Sequence, residues 1–126
     1  MNVALVIYVA LGGALGSVAR FLLSHVVHRY ATAGFPYGTF TVNIIGCAAF
    51  GLIVGFAEHR IALTPAVRAF FLVGILGGFT TFSAFTFDTL ELLRTAAFFR
   101  AAINVLGQIA IGLFALWLGY AIAKLV

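Results

Sequence analysis

Three groups of neutral hydrogen-bonding residues stand inside otherwise apolar windows of this chain. Thr39 and Asn43 are four residues apart and share one helix face, which Gly46 roughly continues. Thr80, Thr81, Ser83 and Thr86 follow two adjacent glycines in GGFTTFSAFTFD at 77–88, and Asn104 and Gln108 again share a face. These groups supply N–H and O–H donors without a fixed charge. Hydrogen bonding between helices in lipid accounts for any one of them alone. Three helices that each present a polar face offer a continuous row of neutral donors, which is what a pore needs. Phe82 and Phe85, three apart, could add ring edges, which carry partial positive charge; on the residues alone, plain packing accounts for them.

The elements that must position these groups are membrane spans. Of 126 residues, 64% are hydrophobic and 8% charged, far below the roughly one quarter charged in soluble domains. Charge-free windows place four helices at about 3–23, 38–57, 66–92 and 101–123, each close to the ~20 residues that cross the hydrocarbon core. The whole chain, 1–126, reads as one four-helix transmembrane domain. The N-terminal MNVALVIYVA has no basic leader and is expected to be the first span, not a cleaved signal. Residues 24–37 form a connection with a Gly-x-Pro turn signal, 58–65 end in a proline suited to the first turn of a helix, and 94–100 join the last two spans. Gly12 with Gly16, and Gly51 with Gly55, have helix-packing spacing.

Charge placement excludes several functions. Glu58, Asp88 and Glu91 all lie at or near span ends, so no carboxylate sits at mid-membrane, where proton-coupled exporters keep one. Asp88 ends the polar face of the third span and could line an entrance. The formal charge of +4 is scattered singly, without a polybasic run for nucleic acid. Cys47 reads as a small core residue. His25 and His28 lack a third ligand, and no nucleophile–base set has plausible geometry, so the chain is not expected to be an enzyme. Basic residues divide almost evenly between the two sides, Arg60, Arg68 and Lys124 against Arg20, Arg29, Arg94 and Arg100. The positive-inside rule normally gives a clear excess, so insertion in both orientations, with pairing about a twofold axis in the membrane plane, is one reading.

Gly77 and Gly78 weaken the third helix at the midpoint of its uncharged window, 69–87. Unwound backbone at that depth needs protein or an ion to satisfy it.

GTFTVNIIG at 38–46 and GGFTTFSAFTFD at 77–88 strongly resemble the CrcB (Fluc) family of fluoride channels, and GGALGSVAR at 12–20 and NVLGQIAIGLFALWLG at 104–119 fit the same pattern. The resemblance implies an all-α membrane protein of four transmembrane helices, the third broken near its middle, forming an antiparallel dual-topology homodimer. It implies passive, fluoride-selective export across the cell inner membrane, giving fluoride resistance. It also implies a structural Na⁺ at the dimer interface, held by backbone carbonyls at the positions of Gly77 and Thr80. Asn43, Phe82 and Phe85 map onto the fluoride path, with Ser83 and Thr39 as further donors, and Arg20 onto an entrance or anchoring role. Gln108 stands where relatives commonly carry serine in a polar track. Fluoride, membrane lipid and a second copy of the chain are the expected partners. A small dual-topology multidrug exporter and a non-transporting membrane subunit are the alternatives; the first would need a carboxylate within residues 3–19, which contain none.

Overall fold

The computed structural model describes residues 2–60 and 62–126; Met1, and Ile61 of the second connection, lie outside the described residues. Among these the chain is helical throughout, with no strand. Helix α1 (Val3–Tyr30) is capped by Asn2, whose side chain accepts from the Ala4 N–H. It continues through the segment after residue 23 that the apolar window assigned to a connection. Arg29 and His28 form its last turn, where basic residues suit the helix dipole. Helix α2 (Tyr37–His59) follows a turn in which Gly34 takes φ +101°, open to glycine.

The third span is composite. Helix α3 begins with Pro65–Val67, capped by Thr64, runs as a π-helical stretch Arg68–Leu76, and ends in the turn Gly77–Phe79. Thr80 (φ −79°, ψ 157°) and Thr81 (φ −149°, ψ 116°) are extended, and helix α4 (Phe82–Arg94) restarts with Thr81 as its cap. The expected break is therefore present, two residues after the glycines. The π-helical stretch had no sequence signal; its i→i+5 bonding widens the turns leading into the break. Helix α5 (Phe98–Leu125) closes the bundle after a connection of three residues, Thr95–Ala97.

Among the described residues four helices or helix pairs are long and apolar enough to cross a membrane, and only 11–22% of each apolar window is buried inside the chain. The remaining apolar surface needs lipid or another copy of the chain, because water cannot cover it favourably. Within the protomer, backbone approach at glycine does the packing. A β-carbon at Gly12 would meet Phe70 O, and one at Gly16 would meet Ile75 O and Phe79 N, so α1 lies directly on the backbone of α3. Gly51 and Gly119 do the same between α2 and α5, the most extensive contact in the fold.

Substituting Gly16 by Val should lower stability in detergent by about 1–3 kcal/mol, because the atoms it would strike are backbone and cannot yield. Gly13→Ala is the control, since its nearest neighbour beyond the helix is 4.0 Å away. Thermal unfolding followed by size-exclusion chromatography checks this; equal midpoints for the two variants would contradict the packing.

Candidate functional site

The site is built where α2 and α5 meet the break between α3 and α4. Thr81 has left helical geometry, so its N–H no longer closes on Gly77 O. Instead it donates to Asn43 Oδ1 at 2.9 Å, while Asn43 Nδ2 donates back to Thr81 O at 3.1 Å. A carboxamide has the same donor–acceptor pattern as a peptide group, so Asn43 pairs with Thr81 much as a neighbouring strand would. Gly46, one turn on, leaves the space that Thr80 Cγ2 enters.

Asn43 Nδ2 makes a second bond, to Gln108 Oε1 at 2.7 Å. Gln108 Nε2 donates to Asn104 Oδ1 at 2.9 Å, and Asn104 Nδ2 donates to Thr89 Oγ1 at 3.0 Å. Thr89 passes its hydroxyl hydrogen to Phe85 O at 2.8 Å. The polar faces of α2 and α5 are thus one connected relay running from one side of the break to the first turn of α4. Asn104 is fully buried within it, at 0% exposure. Its place on the face of Gln108 was legible in the sequence; its bond to Thr89 was not.

The hydroxyls divide by use. Thr80 donates to Leu76 O at 2.9 Å, and Thr86 contacts Phe82 O and Ser83 O at 3.1 and 2.9 Å, so both are spent on their own helices. Ser83 is exposed, with its Oγ 3.3 Å from Thr81 Oγ1. Thr39 is half-buried one turn before Asn43 and makes no hydrogen bond through its hydroxyl among the described residues.

Phe82 and Phe85 have ring centroids 5.5 Å apart at 45°, but their surroundings differ: Phe82 is 76% exposed and Phe85 9%. Phe82 stands between two open clefts of about 350 Å³ each. One is lined by Asn43, Gly46, Cys47, Thr80 and Thr81 with others, the second by Phe85, Thr86, Thr89 and Leu90 with others. Cys47 thus borders the first cleft and is half-exposed within the protomer, rather than closed in the core.

The backbone beside Phe82 fits the expected cation. Gly77 O would ordinarily accept from Thr81 N–H, and Thr80 O from Ala84 N–H. Both amides are diverted, the first to Asn43 Oδ1 and the second to Thr81 Oγ1 at 3.2 Å. Two carbonyls at mid-span are left without their helical donors. Gly77 also faces outward, where an added β-carbon would find nothing closer than Leu72 O at 3.9 Å.

The remaining expected residues lie apart. Asp88 lines a cleft of about 260 Å³ with Glu91, Thr95 and Arg100 at one end of the bundle, and its Oδ2 is buried without a partner among the described residues. Arg100 Nη1 donates to Gly34 O at 3.0 Å, fixing the first connection; no sequence signal marked this bond. Arg20 is half-buried on α1 and lines neither cleft beside Phe82. Glu91 pairs with Arg94 at 2.9 Å. Glu58 is exposed at the end of α2 and also accepts from the Tyr120 hydroxyl. His25 stacks on Phe21 and His28 lies against Gly38, both in packing roles.

Replacing Asn43 by Leu should destabilise the protein by about 1–3 kcal/mol, because the Thr81 N–H and C=O are left unpaired in the bundle. A detergent thermal melt reads this, and an unchanged midpoint would show that Asn43 does not hold the break.

A family model described as CrcB-like protein, Camphor Resistance (CrcB), matches residues 7–120. The protein named Fluoride-specific ion channel FluC from Nitratidesulfovibrio vulgaris (strain DSM 19637 / Miyazaki F) is 46% identical over 121 residues, covering 96% of this chain and 98% of the relative. Its namesakes from Methylobacillus flagellatus and Flavobacterium psychrophilum are 47% and 41% identical, covering 95% and 94% of this chain and 94% and 96% of the relatives. With its four spans, its broken third helix and this full-length similarity, the chain belongs to the CrcB family.

Proposed function

We propose that this chain is a fluoride channel, not an enzyme, that lets fluoride leave the cell down its electrochemical gradient and so limits its toxicity inside. The observation that carries the reading is the row of uncharged donors and aromatic edges beside the helix break, in a chain whose relatives are named fluoride-specific channels. Fluoride is small and tightly hydrated, so crossing hydrocarbon requires replacement of its water shell. Neutral amides, the Ser83 hydroxyl and the Phe82 ring edge do so without a fixed positive charge that would trap the ion. The setting is the cell inner membrane, with lipid against the exposed apolar faces of α1 and α5.

The functional unit in this reading is an antiparallel dual-topology homodimer. The near-even division of basic residues supports insertion both ways, and the outward-facing Gly77 supports a second copy against the break. Gly77 O and Thr80 O of both copies would hold a structural Na⁺, which would supply positive charge near the anion path without a titratable group. Asn43 and Thr39 border the path from α2, Phe82, Phe85 and Ser83 from α4, and Gln108 from α5. Asp88 stands at an entrance, and Arg20 anchors α1.

Purified protein reconstituted in liposomes should release fluoride rapidly and passively, with no comparable chloride release. Phe82→Ile should slow fluoride release roughly fivefold or more, the weight of one aromatic contact of about 1 kcal/mol. No fluoride release from the unaltered protein would defeat the channel reading, and an unaffected Phe82→Ile variant would remove Phe82 from the path.

A further inference from the structure

The direction of every hydrogen bond in the amide relay is fixed, and it leaves one uncommitted donor on a residue that is not fully buried. Carboxamide orientation is set by partners of known polarity. Thr81 provides two, since its N–H can only donate and its C=O can only accept. Asn43 must therefore turn Oδ1 to the Thr81 N–H and Nδ2 to the Thr81 C=O, at 2.9 and 3.1 Å. Nδ2 carries two hydrogens, and its second goes to Gln108 Oε1 at 2.7 Å. Asn43 has no N–H left for an anion.

The polarity propagates. With Oε1 committed to Asn43, Gln108 presents Nε2 to Asn104 Oδ1, and Asn104 presents Nδ2 to Thr89 Oγ1. The far end agrees independently, because Thr89 gives its own hydrogen to Phe85 O and can only accept from Asn104. Among the described residues two N–H groups of the relay remain unused, one on Gln108 Nε2 and one on Asn104 Nδ2. Burial separates them: Asn104 is fully enclosed, whereas Gln108 is half-exposed.

We propose that in this chain Gln108 donates its second Nε2–H to the permeating anion, and that Asn43 is a positioning residue whose own N–H groups stay committed to the break and to Gln108. The inference rests on the fluoride-conducting reading above. It assigns the relay a division of labour: Thr81 orients Asn43, Asn43 orients Gln108, and Asn104 holds the hydrogen of Gln108 that does not meet the ion.

Gln108 is the only glutamine in the sequence, so protein labelled with side-chain [¹⁵N]glutamine gives one carboxamide signal. In lipid nanodiscs, sodium fluoride should shift one of its two Nε2 protons to saturation, and sodium chloride should not. In a matched sample labelled at asparagine, the Asn43 protons should hold their positions. Movement of Asn43 with Gln108 still, or no movement of either, would overturn the assignment. Flux supplies a second reading through its sign. Gln108→Met removes the free donor but also releases an Asn43 N–H. The proposal expects fluoride efflux from liposomes to fall about tenfold, the weight of one lost hydrogen bond to a charged ion. Equal or faster efflux would overturn it in favour of Asn43. Absence of fluoride efflux from the unaltered protein would instead count against the channel reading itself.

Discussion

The two-way hydrogen bond between the Asn43 carboxamide and the Thr81 peptide is the constraint on which the rest of the site depends. A helix interrupted inside a membrane must find partners for the backbone groups it releases, since hydrocarbon offers none. Asn43 serves both the N–H and the C=O of the residue at the interruption. Because the Thr81 N–H is taken, Gly77 O is freed. Because Thr81 also caps α4 through Ala84 N–H, Thr80 O is freed as well. The same side chain then fixes the orientation of Gln108, and through it the relay along α5. The freed carbonyls and the row of amide donors beside them thus share one origin in the fold, although they suit ions of opposite charge.

The helices of the chain are held together in a manner suited to lipid. Between helices in hydrocarbon the hydrophobic drive is weak, and close van der Waals contact with hydrogen bonding takes its place. Gly12 and Gly16 bring α1 onto the α3 backbone, and Gly51 and Gly119 bring α2 onto α5. What these contacts leave outside is large and apolar, with Phe82 and the outward-facing Gly77 among it. In the proposed reading a second copy of the chain covers this face.

Much of this was legible in the residues. Charge-free windows located the spans, the spacing of Asn104 and Gln108 placed them on one face, and Gly77 with Gly78 marked a weak helix. The break itself falls at Thr80 and Thr81, because glycine lowers helix stability, whereas Thr81, with partners on α2 and α4, rewards leaving it. Features that depend on distant partners could not be read. The extension of α1 to Tyr30 runs past the apolar window into polar residues that still favour a helix end. The π-helical stretch Arg68–Leu76 has no local composition that marks it. Arg100 to Gly34, Tyr120 to Glu58 and Asn104 to Thr89 join residues remote in sequence or on separate helices. Residue types told which donors existed, and only the geometry told which were already spent.

The most direct measurement is an experimental structure of the protein in lipid at a resolution that resolves carboxamide and peptide positions around Thr81. The expected result is extended backbone at Thr80 and Thr81, with the Thr81 N–H on Asn43 Oδ1 and Gly77 O turned away from any amide. A helix continuous through both residues, with the Thr81 N–H closing on Gly77 O and Asn43 bonded elsewhere, would contradict it.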